Sequence, residues 1–260
     1  MRISPRGLIT ALRTLTVLPV RGRDADRFSD ALFWFPIVGG ILGGMVWLLG
    51  SLWDRYAGTG WAAGGAVMIL WAEVVLTRAL HLDGLADWAD ALGGGRDPDA
   101  RLRIMKDPHL GSFGVVALVG VLLAKWAAWA RLFSAGGLVC GVPVLVGSRA
   151  VLVHLMARLP SARAGQGMAG PFLQDRDPGQ VWVNHVLTLC LCLPFGPAGV
   201  FVYAAGLVIA FLLGLSFRRH FGGITGDLLG ATQELVETAL LLLCASRVDL
   251  LLPYVGWGNL

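Results

Sequence analysis

The chain has 260 residues, of which 56% are hydrophobic and only 15% are charged, and its mean hydropathy is +0.69. A soluble domain is usually about 25% charged, so this composition excludes a soluble globular protein and indicates an integral membrane protein. The formal net charge is +4. Because the arginines lie between apolar segments and are not gathered into one run, we expect them to orient the chain among membrane lipids, with no nucleic-acid partner.

Seven apolar segments are predicted to be transmembrane helices, since a helix needs about 20 apolar residues to cross the hydrocarbon core. They cover approximately residues 33–53, 61–80, 112–134, 138–157, 181–196, 197–216 and 229–251. The fifth and sixth are separated only by a turn that contains Pro194 and Pro197. The sequence therefore predicts an all-α, polytopic helical bundle of about seven transmembrane helices, in a single membrane-embedded domain over residues 1–260.

The positive charges are distributed unevenly between the two ends of these helices. Fifteen of the 21 Lys and Arg residues lie in the N-terminal segment and in residues 81–111, 158–180 and 217–228. The opposite loops and the C-terminal tail contain only Arg55. Since loops rich in Lys and Arg remain in the cytoplasm, the pattern predicts a cytoplasmic N-terminus.

An acidic motif directly follows the second apolar segment. Asp83, Asp87 and Asp90 are spaced i, i+4, i+7, which places them on one face of a helix. Three like charges repel one another unless a cation neutralises them, and carboxylate oxygens are the ligands that Mg²⁺ prefers. The alternative is a solvated polar face. His81, just before this motif, is either a substrate contact or an interfacial residue.

A second motif, residues 101–114, is rich in basic residues. Arg101, Arg103 and Lys106 are candidates to bind phosphate oxygens. Asp107 is a candidate to join a metal site. The alternative for the basic residues is that they only set the membrane orientation.

A third motif contains glycines and precedes the last apolar segment. Gly223, Thr225 and Gly226 stand where the backbone N–H groups of a helix N-terminus would bind an anion. Asp227 follows them and is a metal-ligand candidate. Its alternative role is to cap the last helix.

Two further acidic residues, Glu234 and Glu237, share a helix face with Asp227. Carboxylates at membrane depth are costly, so they are functional candidates by default. The alternative is that they form ion pairs with Arg149 or Arg78. Arg149 lies within the fourth apolar segment and itself requires an anionic partner or a water-filled cavity.

Together these motifs resemble those of the cobalamin synthase family, and the resemblance covers nearly the whole chain. The matching stretches are residues 81–87, residues 103–107 with Gly111, residues 222–231, Phe35-Pro36 with Gly39, Ser148-Arg149 and Glu234. The chain departs from the family at Arg78, where the family usually has glycine.

The resemblance implies a Mg²⁺-dependent transferase of the inner membrane of a prokaryote, a multi-pass protein whose active site faces the cytoplasm. It implies that adenosylcobinamide-GDP is joined to α-ribazole, or to α-ribazole 5′-phosphate. The products are adenosylcobalamin, or its 5′-phosphate, and GMP. This is the nucleotide-loop assembly step at the end of cobalamin biosynthesis, so the corrinoid is substrate and product and not a cofactor.

The expected mechanism is attack by the ribose 3′-hydroxyl of the acceptor on the cobinamide-side phosphorus. Mg²⁺ is expected to be held by Asp83, Asp87 and either Asp107 or Asp227. Asp90 is the expected base, and Lys106 completes the catalytic set. The expected substrate-binding residues are His81, Arg101, Arg103, Arg149, Gly223, Thr225, Gly226 and Glu234.

Two rival functions remain open from the sequence. CDP-alcohol phosphotransferases also use an Asp-Gly-x-x-Ala motif, but Asp87 departs from the pattern of that family. A transporter is the second rival, with Glu73, Arg149 and Glu234 as its ion path; no internal repeat supports it. A homo-oligomer, or an association with other corrinoid-pathway enzymes, is also possible.

Overall fold

The computed structural model describes residues 3–57, 60–163, 167, 169–174 and 178–257, which form helices joined by short turns. The α-helices are α1 Pro5–Leu15, α2 Phe35–Tyr56, α3 Ala62–Thr77, α4 Leu80–Gly94, α5 Pro98–Ile104, α6 Ser112–Ser134, α7 Gly141–Arg158, α8 Gly170–Gln174, α9 Pro178–Cys192, α10 Gly196–Phe221, α11 Gly226–Ser246 and α12 Val248–Leu251. Short 3₁₀ turns extend several of them. The prediction of an all-α protein is confirmed.

Several helical segments are long and apolar enough to cross a membrane, by length and composition. Five are found among the described residues: Phe28–Tyr56, Ser112–Ser134, Leu138–Arg158, Gly179–Phe221 and Gly226–Ser246. A sixth results if α3 and α4, which meet at an angle of 90°, form one broken span. The protein is therefore a multi-pass membrane protein, as its composition predicts.

The 43-residue segment Gly179–Phe221 folds back on itself. The hydroxyl group of Tyr203 on α10 contacts Nδ1 of His185 on α9, although the two are 18 residues apart. In one straight helix, residues this far apart would be separated by about 27 Å. The reversal occurs at the 3₁₀ turn Leu193–Phe195 and at Gly196, which has a φ of +66°. The prediction of two separate helices here is confirmed.

The second predicted span ends earlier than its apolar pattern indicates. Helix α3 stops at Thr77, and α4 begins at Leu80 after a bend of 90°. The bend is made by Arg78 and Ala79, whose φ angles are +55° and +53°. Helix α4 therefore leaves the direction of α3 and packs against α11 and α6.

The centre of the bundle is formed by α7 and α11, which are the most buried of the candidate spans at 83% and 78%. Helix α2 packs tightly on α7. A Cβ atom at Gly39 would lie 2.3 Å from the carbonyl oxygen of Leu145. Small residues let helix backbones approach in a membrane, where close packing drives association.

The loops that carry most of the positive charge meet at one end of the bundle. Arg101 donates a hydrogen bond to the carbonyl oxygen of His220 at 3.1 Å. The backbone N–H of Ile224 donates to the carbonyl oxygen of Pro160 at 2.8 Å. The second link joins residues 158–163 to the start of α11. Two of the positive charges counted from the sequence, Arg2 and Arg176, lie outside the described residues.

Candidate active site

A cavity of about 640 Å³ lies at this end of the bundle. Its wall is formed by the bend between α3 and α4, the start of α11, the end of α7 and the N-terminal segment. The charged and titratable lining residues are Arg13, Arg78, His81, Asp83 and Asp227. A volume of this size lies in the range of ligand-binding sites, and its mixed polar and apolar lining suits a large amphiphilic substrate.

Two glycines bring α4 and α11 into backbone contact at the cavity. A Cβ atom at Gly84 would lie 2.6 Å from the carbonyl oxygen of Asp227. A Cβ atom at Gly230 would lie 3.2 Å from the carbonyl oxygen of His81. Because a side chain at Gly84 would force the helices apart, the glycine in the first motif explains how Asp83 and Asp227 reach the same cavity.

The structure brings together three aspartates from these two helices, Asp83, Asp87 and Asp227, which we call the aspartate group. Asp227, Asp83 and Asp90 all act electrostatically on the half-buried carboxylate of Asp87. Arg163 donates a hydrogen bond to Oδ2 of Asp227 at 3.0 Å. This single paired cation leaves the group with an excess of negative charge, as the motif spacing predicts.

The aspartate group also has the donor chemistry that Mg²⁺ requires. In the parts of the chain that the structure describes, no three His, Cys, Asp or Glu side chains form a complete metal site by themselves. Mg²⁺, however, is usually bound by one or two carboxylates, with waters and substrate phosphates filling the other positions. The aspartate group therefore fits Mg²⁺ shared with a phosphate-bearing substrate, and the metal itself stays a prediction.

Asp90 has a structural role that opposes its expected role as a base. Its two carboxylate oxygens accept hydrogen bonds from the backbone N–H groups of Gly111 and Gly114, both at 2.8 Å. These groups belong to the N-terminus of α6, so both carboxylate oxygens are engaged in capping that helix. Asp90 fastens the loop between α5 and α6 to α4.

Asp107 lies on that loop and is exposed. The hydrogen bond from the His109 ring, at 2.6 Å, and a second from the His109 backbone lower the pKa of Asp107. Its carboxylate is therefore ionised at neutral pH. Asp107 neither lines the cavity nor counts among the charges that act on Asp87, so its expected metal role stays a prediction.

The basic residues of the second motif are not in the cavity wall. Arg103 and Lys106 are exposed. Arg101 bonds to the carbonyl oxygen of His220 and lies over the Phe221 ring, 6.0 Å from its centroid. Arg101 therefore holds α5 against the end of α10, and this positioning explains it better than the predicted substrate contact.

The third motif combines packing, capping and cavity-lining roles. A Cβ atom at Gly223 would lie 2.3 Å from the carbonyl oxygen of Pro160, so this glycine is required for packing. Thr225 is the N-cap of α11, and its hydroxyl accepts from the N–H of Leu228 at 3.2 Å. The predicted substrate contacts of Gly223 and Thr225 stay predictions. The alternative that Asp227 caps α11 is wrong, because Thr225 is the cap. Gly226 lines the cavity.

A buried ion cluster lies among α3, α6, α7 and α11. Nζ of Lys125 lies 2.7 Å from Glu234, 2.6 Å from Glu237 and 3.8 Å from Glu73, and all four side chains are at most 8% exposed. Arg149 pairs with Glu237. We call Glu73, Lys125, Arg149, Glu234 and Glu237 the ion cluster.

The ion cluster contains two residues that were predicted to contact substrate. Arg149 is 2% exposed and Glu234 is 6% exposed, and neither lines the cavity. The alternative pairing of Glu237 with Arg149 is confirmed, whereas Arg78 lines the cavity instead. The residue that sequence reasoning missed is Lys125. A lysine inside an apolar segment was the signal, since it requires an anionic partner at membrane depth.

His81 lies between the cavity and the ion cluster. It is 4% exposed, lines the cavity and has an Nδ1 atom without a hydrogen-bond partner. The charges of Arg149, Glu237 and Lys125 all act on its ring. A buried ring nitrogen without a partner favours the interpretation of His81 as a substrate contact over that of an interfacial residue.

Comparisons with known proteins agree with the motifs. The chain is 47% identical over 245 residues to the adenosylcobinamide-GDP ribazoletransferase of Chlorobaculum tepidum, covering 92% of this chain and 94% of that protein. It is 39% identical over 240 residues to the protein of the same name from Syntrophobacter fumaroxidans, covering 89% and 90% of the two chains. No solved structure matches it. Because the family model described as cobalamin-5-phosphate synthase matches residues 7–245, the chain belongs to that family.

Proposed function

We infer that the protein is an adenosylcobinamide-GDP ribazoletransferase, a transferase of cobalamin biosynthesis. Relatives of that name are 47% identical over nine-tenths of the chain. The structural observation that carries the inference is that Asp83 and Asp227 line one cavity and that both act electrostatically on the neighbouring Asp87. Such a group of carboxylates can hold a divalent cation, and a cation neutralises the negative charge at a reacting diphosphate.

The reaction is a phosphoryl transfer between two small molecules. The ribose 3′-hydroxyl of α-ribazole, or of its 5′-phosphate, attacks the cobinamide-side phosphorus of the donor. A new O–P bond forms, the P–O bond to GMP breaks, and the hydroxyl proton passes to a carboxylate of the aspartate group. Since α4 and α11 hold these carboxylates on rigid elements, they orient the reacting groups before reaction.

We propose Mg²⁺ as the cofactor, held by carboxylates of the aspartate group. When bound, it neutralises the charge of the diphosphate and of the departing GMP. His81 and the N-terminal turn of α11, beginning at Gly226, contact the substrate in the same cavity. The first N–H groups of α11 are suited to phosphate oxygens because they have no partner inside the helix.

We also propose that the active site faces the cytoplasm at the inner membrane of a prokaryote. The support is the concentration of Lys and Arg in the loops at the cavity end, compared with only Arg55 and Arg247 among the described residues of the opposite loops and C-terminal tail. The cytoplasm is where a nucleotide-activated donor is available.

The test is GMP release by the purified protein from adenosylcobinamide-GDP, with α-ribazole and Mg²⁺. We expect Asp83→Asn to lower the rate at least a hundredfold, because it removes a charge from the aspartate group. Asp83 is exposed, so the variant should insert and fold normally. Full activity of Asp83→Asn would remove Asp83 from the site.

The same preparation separates the rival functions. CMP release from a CDP-alcohol donor, without GMP release from the corrinoid donor, would identify a CDP-alcohol phosphotransferase. Solute flux in proteoliposomes, with no product in either assay, would identify a transporter.

A further inference from the structure

Arg78 occupies a backbone conformation that its side chain disfavours. Its φ is +55°, and that of Ala79 is +53°; among the described residues these are the non-glycine positions with positive φ. In the left-handed region the Cβ atom crowds the following carbonyl oxygen, so glycine is the residue that tolerates it best. Two such residues in succession form the bend that starts α4, directly beside the aspartate group.

The guanidinium of Arg78 is available for a ligand. Arg78 lines the cavity together with Asp83 and Asp227 and is exposed there. In the part of the chain that the structure describes, no hydrogen bond or ion pair holds its side chain. Arg78 is thus an unpaired cation beside an excess of negative charge. All five of its N–H donors are available to a ligand that enters the cavity.

Two further described arginines near the cavity, Arg13 and Arg163, are already occupied. Arg13 donates hydrogen bonds to the carbonyl oxygens of Val20 and Gly22 and pairs with Asp24. Arg163 pairs with Asp227. Of the two described arginines that line the cavity, Arg78 is therefore the one that remains free for an anion.

We propose that Arg78 binds a phosphate group of a substrate, a role that rests on the proposed transferase function. The planar guanidinium binds two phosphate oxygens at once, which a lysine does not do. Strained backbone is retained at functional sites when the side chain it presents is needed there. The phosphate belongs either to the diphosphate of the donor or to the 5′-phosphate of the acceptor.

The decisive variant is Arg78→Gly, with Ala79→Gly as its matched control. Both substitutions relieve a positive φ, so both should hold or raise the thermal unfolding midpoint. Only Arg78→Gly removes a side chain that is proposed to bind phosphate. We expect it to raise the KM of the affected substrate about tenfold to a hundredfold, the usual cost of a charge-assisted hydrogen-bonding partner. Ala79→Gly should leave the KM values of all three substrates unchanged.

A comparison of the two acceptors, α-ribazole and α-ribazole 5′-phosphate, identifies which phosphate Arg78 binds. If Arg78 binds the donor diphosphate, Arg78→Gly raises the KM of adenosylcobinamide-GDP with either acceptor. If it binds the acceptor phosphate, the variant raises the KM of α-ribazole 5′-phosphate and leaves that of α-ribazole unchanged. Arg78→Lys keeps the positive charge but lacks the planar guanidinium that binds two oxygens. In either case its KM should therefore lie between those of wild-type protein and Arg78→Gly.

The proposal fails if Arg78→Gly leaves the KM values of all three substrates unchanged while wild-type protein releases GMP. Absence of GMP release by wild-type protein would instead refute the transferase function. If Arg78→Gly does not fold, Arg78→Gln keeps a side chain at the bend and removes the charge. Calorimetry then measures the affinity of Arg78→Gln for adenosylcobinamide-GDP and for α-ribazole 5′-phosphate. Unchanged affinity for both substrates overturns the proposal.

Discussion

Lys125 on α6 has three carboxylates around it, contributed by α3 and α11. With Arg149, the ion cluster contains two cations and three carboxylates, all buried in the membrane-spanning part of the bundle. Removing one partner of a buried ion pair is far more damaging than removing both, because the remaining charge has no solvent. The cluster therefore fixes the relative positions of the helices below the cavity.

Substitution of Lys125 by Met should destabilise the protein by about 3–5 kcal/mol, since it leaves Glu234 and Glu237 short of a cation. The measurement is the thermal unfolding midpoint in detergent, together with the yield of folded protein. Arg219→Met is the control, because Arg219 is exposed and its removal should change the midpoint little. An unaltered midpoint for Lys125→Met would show that the buried carboxylates do not depend on this lysine.

Helix α4 depends on α11 for its position, and the contact leaves no room for a side chain. A Cβ atom at Gly84 would also lie 3.0 Å from the Cα atom of Asp227. The neighbouring atoms are backbone, which does not move aside as a flexible side chain would. The distance between the carboxylates of the two helices is therefore set by this glycine.

Gly84→Ala should separate α4 from α11, lower the stability by about 1–3 kcal/mol and reduce GMP release at least tenfold. Gly44→Ala on α2 is the matched control, since a Cβ atom there meets nothing within 4 Å and alanine favours a helix. Thermal unfolding and the GMP assay compare the two. Equal behaviour of Gly84→Ala and Gly44→Ala would contradict the close contact.

The whole molecule places its positively charged loops, its cavity and its aspartate group at one end. Backbone and side-chain hydrogen bonds join the 81–111 segment to α10 and residues 158–163 to the start of α11. The proposed cytoplasmic orientation of this end thus rests on the combined charge of several loops and not on any single residue.

Thiol labelling in intact cells tests this orientation. In a Cys190→Ser background, a cysteine at position 219 should react with a membrane-impermeant reagent only after the cells are opened. A cysteine at position 55, at the opposite end, should react from outside. The natural thiols Cys140, Cys192 and Cys244 are buried and should stay unlabelled. The reverse pattern would place the active site outside the cytoplasm.

Much of the site was predictable because the necessary information is local. The spacing of Asp83, Asp87 and Asp90 specifies a helix face, and the glycines before Asp227 predict a helix start. Not every aspartate on the face has the same role, however. Asp90 caps α6 because the backbone of Gly111 and Gly114, more than 20 residues away, meets it.

By itself the sequence determined the membrane class, the helical segments, the charge asymmetry and the family motifs, since these depend on composition and on neighbours along the chain. Only the tertiary structure decided which charges are partners. Lys125 meets Glu237 across 112 residues, and Arg163 meets Asp227 across 64. The left-handed bend at Arg78 and Ala79 is likewise seen only in the folded chain. The physical reason is that an ion pair or a backbone bend is selected by the surroundings that folding brings together, and no local pattern records them.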